Sequence, residues 1–378
     1  MTRYLLALGA ALLALGPQGV LCAGQFNNVV SLGDSLFDDN LGNRSPVAAA
    51  HVAHQMGVPW TNYAVSGATS DALLRQGQHA AAAANFGAGD LALLWIGGND
   101  FFYQASLPIT LGFGYERTLD DAAGNVETIL STLRGAGMEV VMFNLPDMSR
   151  VPFVDLAATN FLGQRQRWLN EYAALSVDWA DTLDALGAEY GAPVVDVYGM
   201  FAERVADPDA FSIMGHQVNL GPNFGGQFDI FKDPIHPSAY IQGLVANEAI
   251  EVINATFNTP GATPVEQLSQ DKLAQLIGLL PSDFDADGRV TLGDLLTWEV
   301  NFGASGIDFE FGIDLHPLGD ANGDGWIGGG DFLIWQRQAN GGTGATPVPE
   351  PTTLGLLVAG AIATAATATS RGRRARRA

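Results

Sequence analysis

Residues 29–36 read Val-Val-Ser-Leu-Gly-Asp-Ser-Leu, an apolar run that ends in a glycine, an aspartate and a serine. The apolar run is typical of a short buried strand, and the Gly-Asp pair predicts a tight turn from that strand into a helix. Such a turn holds the hydroxyl of Ser35 at the carboxyl edge of a sheet, where a nucleophile can reach a substrate. On its own, the stretch is also explained by an ordinary helix N-cap.

The composition favours a globular protein with an acidic surface. At 378 residues and 47% hydrophobic residues, the chain is long enough for two or three domains with sizeable cores. Its 40 acidic and 18 basic residues give a net charge of -22. This balance argues against nucleic acid as a partner, because phosphate binding needs clustered Lys and Arg. It fits a secreted or calcium-rich setting better.

Residues 1–23 have the features of a secretory signal peptide. Arg3 precedes an apolar run over residues 4–15, and residues 21–23 offer a small-residue cleavage site. The run is short for a membrane span. Cleavage after residue 23 would remove Cys22, the single cysteine of the chain, and leave neither a disulfide nor a catalytic thiol.

Between residues 24 and 257, short apolar runs alternate with helical patterns, which predicts a parallel sheet covered by helices on both faces. The expected strands are residues 28–32, 60–63, 90–96, 139–144 and 193–197. The expected helices are residues 46–56, 70–84, 119–133, 162–186 and 238–253. The predicted fold class is therefore α/β, with a flavodoxin-like layout.

A histidine and an aspartate that fit a serine nucleophile occur together late in this region. Ester hydrolysis by serine needs a base for the hydroxyl proton and a group that orients the base. Residues 233–237 read Asp-Pro-Ile-His-Pro, so Asp233 and His236 can share one turn. The carboxylate of Asp233 can then orient the imidazole of His236 towards Ser35. The alternative for His236 is a loop histidine beside a helix N-terminus.

Two glycine-containing segments can supply donors for an oxyanion. Residues 97–100, Gly-Gly-Asn-Asp, end a predicted strand, and the side-chain amide of Asn99 can donate there. Residues 62–68 follow the short strand, and the backbone of Gly67 can donate a second hydrogen bond. Each segment is also explained by a plain turn.

Together these four segments resemble the GDSL family, also called SGNH hydrolases, over most of residues 26–250. The resemblance implies a three-layer α/β/α fold and a serine esterase or lipase that needs no cofactor for catalysis. It gives the signature roles to Ser35, Gly67, Asn99 and His236, with Asp233 completing the triad. The implied substrates are carboxylic esters, lipid-like or on an acylated polysaccharide, hydrolysed through an acyl-enzyme. The alternative is a surface binding or scaffolding protein that no longer turns over.

Residues 100–115 leave the predicted catalytic edge and are rich in aromatic side chains. Two interpretations stay open for this loop. It lines an acyl or sugar pocket, or it is an insertion that packs onto the core.

A second unit is expected at residues 265–343, after a linker at residues 258–264. Within it, an acidic pattern repeats at a fixed offset and ends in a tryptophan. Oxygen ligands at loop positions one, three, five, seven and twelve, with glycine at six, suit calcium. The expected ligands are Asp283, Asp285, Asp287, the Arg289 carbonyl and Asp294 in the first loop, and Asp320, Asn322, Asp324, the Trp326 carbonyl and Asp331 in the second. The alternative is two acidic turns without an ion.

This unit resembles type I dockerin modules, because each loop has aspartate at position twelve and is followed by one short helix. The resemblance implies a small all-α domain with two structural Ca2+ ions and a cohesin-like or matrix partner. Positions ten and eleven are Leu292-Gly293 and Gly329-Gly330, which leaves the partner open.

Residues 344–378 combine a linker with a sorting pattern. Val-Pro-Glu-Pro at residues 348–351 precedes an apolar stretch at residues 354–368 and a terminal arginine cluster. This end resembles a PEP-CTERM sorting signal, which implies a bacterial envelope with an extracellular matrix and removal of the tail by an exosortase. A permanent membrane anchor is the alternative.

Overall fold

The computed structural model describes residues 26–39, 46–159, 164–208, 211–213, 216–258, 263–285, 290–305 and 315–341. The signal peptide expected at residues 1–23 and the sorting tail expected at residues 344–378 lie outside the described residues, as do Asp287 and Arg289. The chain divides into two compact units, one up to Gly278 and one from Leu279 onward.

A five-stranded parallel sheet forms the centre of the first unit. Its strands are β1 (Asn28–Gly33), β2 (Trp60–Asn62), β3 (Asp90–Trp95), β4 (Glu139–Phe143) and β5 (Val194–Val195), in the order β2-β1-β3-β4-β5. Strand β3 is buried along its whole length, which explains its continuous apolar run. Short pairs follow in β6 (Ser212–Ile213) with β7 (His216–Gln217) and β8 (Asn219–Phe224) with β9 (Asp229–Phe231).

Helices cover this sheet in two groups. They are α1 (Ala48–Met56), α2 (Ser70–Gln76), α3 (Gln78–Asn85), α4 (Gly98–Asp100), α5 (Ser106–Leu111), α6 (Glu116–Gly135), α7 (Pro152–Thr159), α8 (Arg165–Tyr190), α9 (Val197–Ala206), α10 (Ala239–Phe257) and α11 (Gln270–Leu276). Helix α1 packs against α10, whereas α6 packs against α2, α3 and α8. Because the strand order reverses at β1, and connections between parallel strands are right-handed as a rule, we infer that the two groups cover opposite faces. The predicted α/β fold with a central parallel sheet is confirmed.

Two local expectations in this unit are wrong. The helix expected at residues 70–84 is two helices, because Gly77 has φ of +73° and ends α2 in the left-handed region. The loop expected at residues 100–115 is largely helical, with a π-helical turn at Phe101–Ala105 that leads into α5. In the part of the chain that the structure describes, no helix is long and apolar enough to cross a membrane.

The first unit continues past the expected linker. Asn254 on α10 pairs with the backbone of Val265 through both its side-chain atoms, at 2.9 Å each. Asn247, two turns earlier, does the same with Leu268, at 2.7 and 3.1 Å. These contacts and the packing of α11 on α10 keep residues 263–278 with the first unit. The compact second unit therefore begins later than the expected residue 265.

The second unit contains helices α12 (Leu292–Asn301) and α13 (Gly329–Gly341) and a 3-10 turn at His316–Leu318. Among the described residues of this unit, Phe284, Ala321 and Ile334 form one buried cluster, with Trp298 packed against it. The two tryptophans of the repeat make reciprocal hydrogen bonds of 2.8 Å. Trp298 donates to the Gly328 carbonyl and Trp335 to the Thr291 carbonyl, which are equivalent positions of the two repeats.

Candidate active site

The carboxyl ends of β1 and β3 meet where the strand order reverses, which is where open α/β sheets form a crevice. Gly33 ends β1 with φ of +141°, and a Cβ there would lie 2.0 Å from the Trp95 carbonyl oxygen. Only glycine fits this position. Gln78 at the start of α3 fixes it, since its side chain accepts from the Gly33 N–H at 3.0 Å and donates to the Gly33 carbonyl at 3.1 Å.

Ser35 lies on a tight turn and is half-buried. The Asp34 carboxylate accepts from the Leu36 N–H at 2.9 Å, the side-chain-to-backbone bond typical of aspartate turns. Phe37 is fully buried and holds the turn down by ring contacts with Trp95 and Phe143. The helix expected directly after Ser35 is a single turn, so that expectation is wrong. Asp34 bonds to the local backbone there instead of capping a helix.

The structure brings Ser35, His236 and Asp233 together. The His236 Nε2 atom lies 2.9 Å from the Ser35 Oγ atom. The His236 Nδ1 atom lies 2.8 Å from both carboxylate oxygens of Asp233. These contacts place a base beside the hydroxyl and a carboxylate behind the base, which is the order that proton removal from a serine needs.

Asp233 is held ionised by its own loop. Burial raises the pKa of its carboxyl, but the N–H groups of Ile235 and His236, each donating at 2.9 Å, and the His236 ring outweigh burial. The net pKa of Asp233 lies below its usual range. The carboxylate can therefore stabilise a positive charge on the imidazole without taking its proton.

Asn99 lies buried at the same edge of the sheet, at the start of α4. Its Nδ2 group donates to the Ala68 carbonyl at 3.0 Å and to the Asp34 carboxylate at 3.1 Å. A side-chain amide has two N–H donors, so donation to an oxyanion requires exchange of one of these bonds. Gly67 precedes Ala68 on an exposed turn with φ of +78°, which favours glycine.

Three polar side chains position the site although the sequence indicated no role for them. Gln78 fixes Gly33, and the buried Gln242 of α10 donates to the Leu36 carbonyl at 3.1 Å. Asp100 is buried and accepts from the N–H and hydroxyl of Ser70 at 2.9 and 2.7 Å, which ties α4 to α2. Burial raises the pKa of Asp100, against the opposite effect of the Ser70 bonds. The available signal was a polar residue within an apolar helix face, as at Gln242.

Two spaces adjoin Ser35. One is a cavity of about 50 Å³ lined mainly by apolar side chains, among them Trp95, Phe102, Leu145, Met148, Val197 and Phe231. The other is a wider groove of about 470 Å³ on the His236 side, lined by Gln227, Lys232 and Gln242 among others. The hydroxyl of Ser35 therefore lies between a small apolar space and a larger, more polar one.

The second unit brings part of each predicted calcium loop together. In the first loop, one oxygen of each of Asp283, Asp285 and Asp294 lies within 4.8 Å of the others, a fit for one hard cation. In the second loop, Asp331 accepts from the Ala321 N–H at 2.9 Å, as Asp294 accepts from the Phe284 N–H at 2.8 Å.

The remaining members of the second loop are joined by hydrogen bonds. Asp320 accepts from the N–H groups of Gly323 and Gly325, at 2.9 Å each, and Asn322 donates to Asp324 at 2.9 Å. The side chain of Trp326 is exposed.

Comparison with known proteins gives one family. A model of the GDSL-like Lipase/Acylhydrolase family matches residues 31–243, more than half of the chain. No curated protein matches the chain. Among solved structures, a lipolytic G-D-S-L family protein from Veillonella parvula is 17% identical, with a TM-score of 0.40 over 60% of this chain and 97% of that one. An acetylxylan esterase from Geobacillus stearothermophilus is 15% identical, with a TM-score of 0.39 over 64% of this chain and 99% of that one.

Proposed function

The chain belongs to the GDSL-like lipase/acylhydrolase family and is a serine hydrolase of ester bonds, and we propose that it acts through an acyl-enzyme on Ser35. The observation that carries this proposal is the 2.9 Å contact between His236 Nε2 and Ser35 Oγ, backed by Asp233 at 2.8 Å. The alternative of an inactive scaffolding protein is not favoured, because no triad position lacks its chemical group.

In the proposed mechanism, His236 removes the hydroxyl proton while Ser35 Oγ attacks the ester carbonyl carbon. The negative charge on the carbonyl oxygen is stabilised by the Asn99 amide and the Gly67 N–H. His236 then returns the proton to the leaving alcohol, and Ser35 holds the acyl group. A water molecule, deprotonated by His236, releases the acid and restores Ser35. Asp233 keeps the imidazole oriented and stabilises its positive form.

The two spaces beside Ser35 suggest how an ester binds. We assign the acyl group to the apolar cavity and the alcohol portion to the wider groove. A cavity of about 50 Å³ holds a short acyl group, since one water needs roughly 10–15 Å³. Lipid-like esters and acylated polysaccharides with short acyl groups both satisfy this assignment, so the proposed substrate class is short-chain carboxylic esters.

Hydrolysis of a p-nitrophenyl ester series by the full chain tests this proposal. We expect turnover to be fastest from acetate to butyrate and to fall for long acyl chains, because the cavity is small. Ser35→Ala should abolish turnover, whereas Ser131→Ala, an exposed serine on α6, should leave it unchanged. Equal turnover by the Ser35→Ala variant would overturn the proposal.

We further propose that the second unit is a dockerin-like module stabilised by two Ca2+ ions. The convergence of Asp283, Asp285 and Asp294 supports an ion in the first loop. Asp287 and Arg289 would complete that set, and Asp320, Asn322, Asp324, Asp331 and the Trp326 carbonyl would hold the second ion. The ions would fix the loops and take no part in ester hydrolysis. A cohesin-like or matrix partner is proposed for this module.

The location of the protein is also proposed from its ends. A signal peptide at residues 1–23 and a PEP-CTERM-like tail at residues 344–378 support secretion to a bacterial envelope or matrix and exosortase processing. Mass spectrometry of the mature protein tests both segments. Loss of residues 1–23 and of the arginine cluster is expected, and an intact arginine tail would favour the membrane anchor.

A further inference from the structure

A strip of exposed apolar side chains lies on the helical segment that follows Asn99. Tyr103, Leu107 and Leu111 are 63%, 62% and 59% exposed, and Phe113, just past the end of α5, is 77% exposed. The first three are spaced by four residues, so they share one side of the segment. We call Tyr103, Leu107, Leu111 and Phe113 the apolar strip.

The side chains on the opposite side of the same segment pack into the core. Phe101, Ala105 and Ile109 are fully buried, and the Phe101 ring packs edge-on against Trp179 at 5.2 Å. The Tyr172 hydroxyl donates to the Phe101 carbonyl at 3.1 Å. The segment is thus anchored through its buried side, and the apolar strip faces outward. A contiguous exposed apolar surface of this kind marks an interaction site.

The strip is continuous with the mouth of the catalytic site. Phe102, next to Tyr103, lines the apolar cavity at Ser35 and contacts the Phe153 ring edge-on at 5.5 Å. The Phe153 N–H donates to the Pro234 carbonyl at 2.8 Å, between Asp233 and His236 in the chain. A partner seated on the strip would therefore lie at the rim of the cavity that receives the acyl group.

The charge of this surface selects the kind of partner. Residues 101–115 contain no charged side chain in a protein of net charge -22. The next charged residue in the sequence is Glu116. Arg167 also reaches the segment, and its guanidinium donates to the Ile109 carbonyl. An uncharged apolar strip on an acidic protein suits an uncharged partner, since an anionic surface would repel the rest of the molecule. The leucines favour hydrocarbon over sugar rings, which stack on flat aromatic faces.

We propose that the apolar strip adsorbs the protein to the surface of an aggregated, uncharged ester, a lipid-water interface, and so brings ester groups to the cavity at Ser35. This inference rests on the proposed esterase activity, and it selects a lipid-like substrate in place of a soluble one. Adsorption of this type places an apolar helix side in the interface and needs no change in the triad.

Comparing the rate of hydrolysis of an emulsified ester with that of a dissolved ester distinguishes the role of the apolar strip from that of the catalytic residues. The wild-type full chain should hydrolyse tributyrin faster once droplets form, and it should float with phosphatidylcholine vesicles more than with phosphatidylserine vesicles. In the double variant Leu107→Asp, Leu111→Asp, the rate of emulsion hydrolysis should fall about tenfold and flotation should be lost. Its rate of hydrolysis of dissolved p-nitrophenyl acetate should stay within about twofold of the wild type.

The matched control is the same substitution at an exposed leucine outside the apolar strip. Leu296 on α12 is 59% exposed, and Leu296→Asp should alter neither flotation nor the emulsion rate. If the double variant unfolds, Phe113→Ser, placed after the end of α5, carries the same test. Absence of p-nitrophenyl acetate turnover in the wild type would count against the esterase, whereas flotation would still report on the strip.

Four results would overturn the inference. The first is that the wild type does not float with the vesicles, and the second is that the double variant floats and hydrolyses the emulsion as well as the wild type does. The third is that the wild type is a dimer and the double variant a monomer. The fourth is that the wild type binds insoluble acetylated xylan through the apolar strip and does not bind lipid.

Discussion

The catalytic residues of the first unit and the acidic loops of the second are assembled in opposite ways. Ser35 and His236 are 201 positions apart in the chain and meet only because β1 and the loop before α10 end at one edge of the sheet. Asp283, Asp285 and Asp294 come from a single loop. The catalytic residues therefore depend on a packed core to bring them together, whereas the acidic loop brings together carboxylates that repel one another.

The two units also differ in what stabilises them. The first has a five-stranded sheet, whose central strand β3 is buried along its whole length, and helices packed around it. The second is much shorter, and its described residues include one buried cluster of Phe284, Ala321 and Ile334. A domain as short as this one commonly needs a metal or a disulfide. We therefore expect the first unit to fold and turn over without calcium and the second to depend on it.

The largest effect should come from breaking the long-range contact in the first unit. His236→Ala removes the base, and kcat should fall about ten-thousandfold or more. His216→Ala is the matched control, because this histidine of β7 stacks on Phe228 and has no proposed role in the reaction. Steady-state kinetics on p-nitrophenyl acetate measure both. Similar losses in the two variants would mean that His236 is not the base.

A smaller effect is expected from the oxyanion donor. Asn99→Ala should lower kcat by about a hundred- to a thousandfold with little change in KM, since the bond forms in the transition state. The exposed Asn85, which donates to the Ala81 carbonyl, gives the control Asn85→Ala. A change in KM alone would assign Asn99 to substrate binding instead of oxyanion stabilisation.

Calcium removal should act on the second unit alone. At a hundred times its dissociation constant, each ion contributes about 2.7 kcal/mol to the free energy of unfolding, so two ions contribute about 5 kcal/mol. EDTA should unfold the second unit, seen in tryptophan fluorescence and circular dichroism, and leave p-nitrophenyl acetate hydrolysis unchanged. Asp294→Ala should reduce the calcium-dependent change in both signals. An unchanged spectrum in EDTA would contradict the proposed ions.

One buried histidine should make the stability of the first unit depend on pH. Burial, with a further contribution from the charge of Lys272, lowers the pKa of His51 from 6.5 to about 4. The unfolded chain therefore binds a proton first, and the free energy of unfolding should fall as the pH drops from about 6.5 to about 4, by about 3 kcal/mol at most. His51→Gln should flatten this dependence in urea unfolding curves. An unchanged slope would assign it to other groups.

The sequence predicted the regular part of the fold because apolar runs and helix periods are local signals. Strand β3 was expected at residues 90–96 and forms over Asp90–Trp95. The break at Gly77 and the helical course of residues 101–111 were missed, since a glycine inside a helical pattern and an aromatic-rich segment each permit both outcomes. Tertiary packing of Phe101 and Ile109 decided the second case.

The candidate site was predictable where its residues form short motifs. Ser35, Asn99, Asp233 and His236 were named from such motifs, and the structure brings all four to one edge of the sheet. Gln78 and Gln242 were not, because a single glutamine carries no motif. Their partners, the backbone groups of residues 33 and 36, lie far along the chain and become visible only in three dimensions.

Capture of the acyl-enzyme shows whether Ser35 is the nucleophile. The full chain is mixed with p-nitrophenyl acetate, quenched in acid during the first turnover and digested for mass spectrometry. We expect one acetyl group on the peptide that contains Ser35, a burst of p-nitrophenol equal to the enzyme concentration, and neither signal in Ser35→Ala. An acetyl group on another residue, or a full burst in the Ser35→Ala variant, would contradict the account.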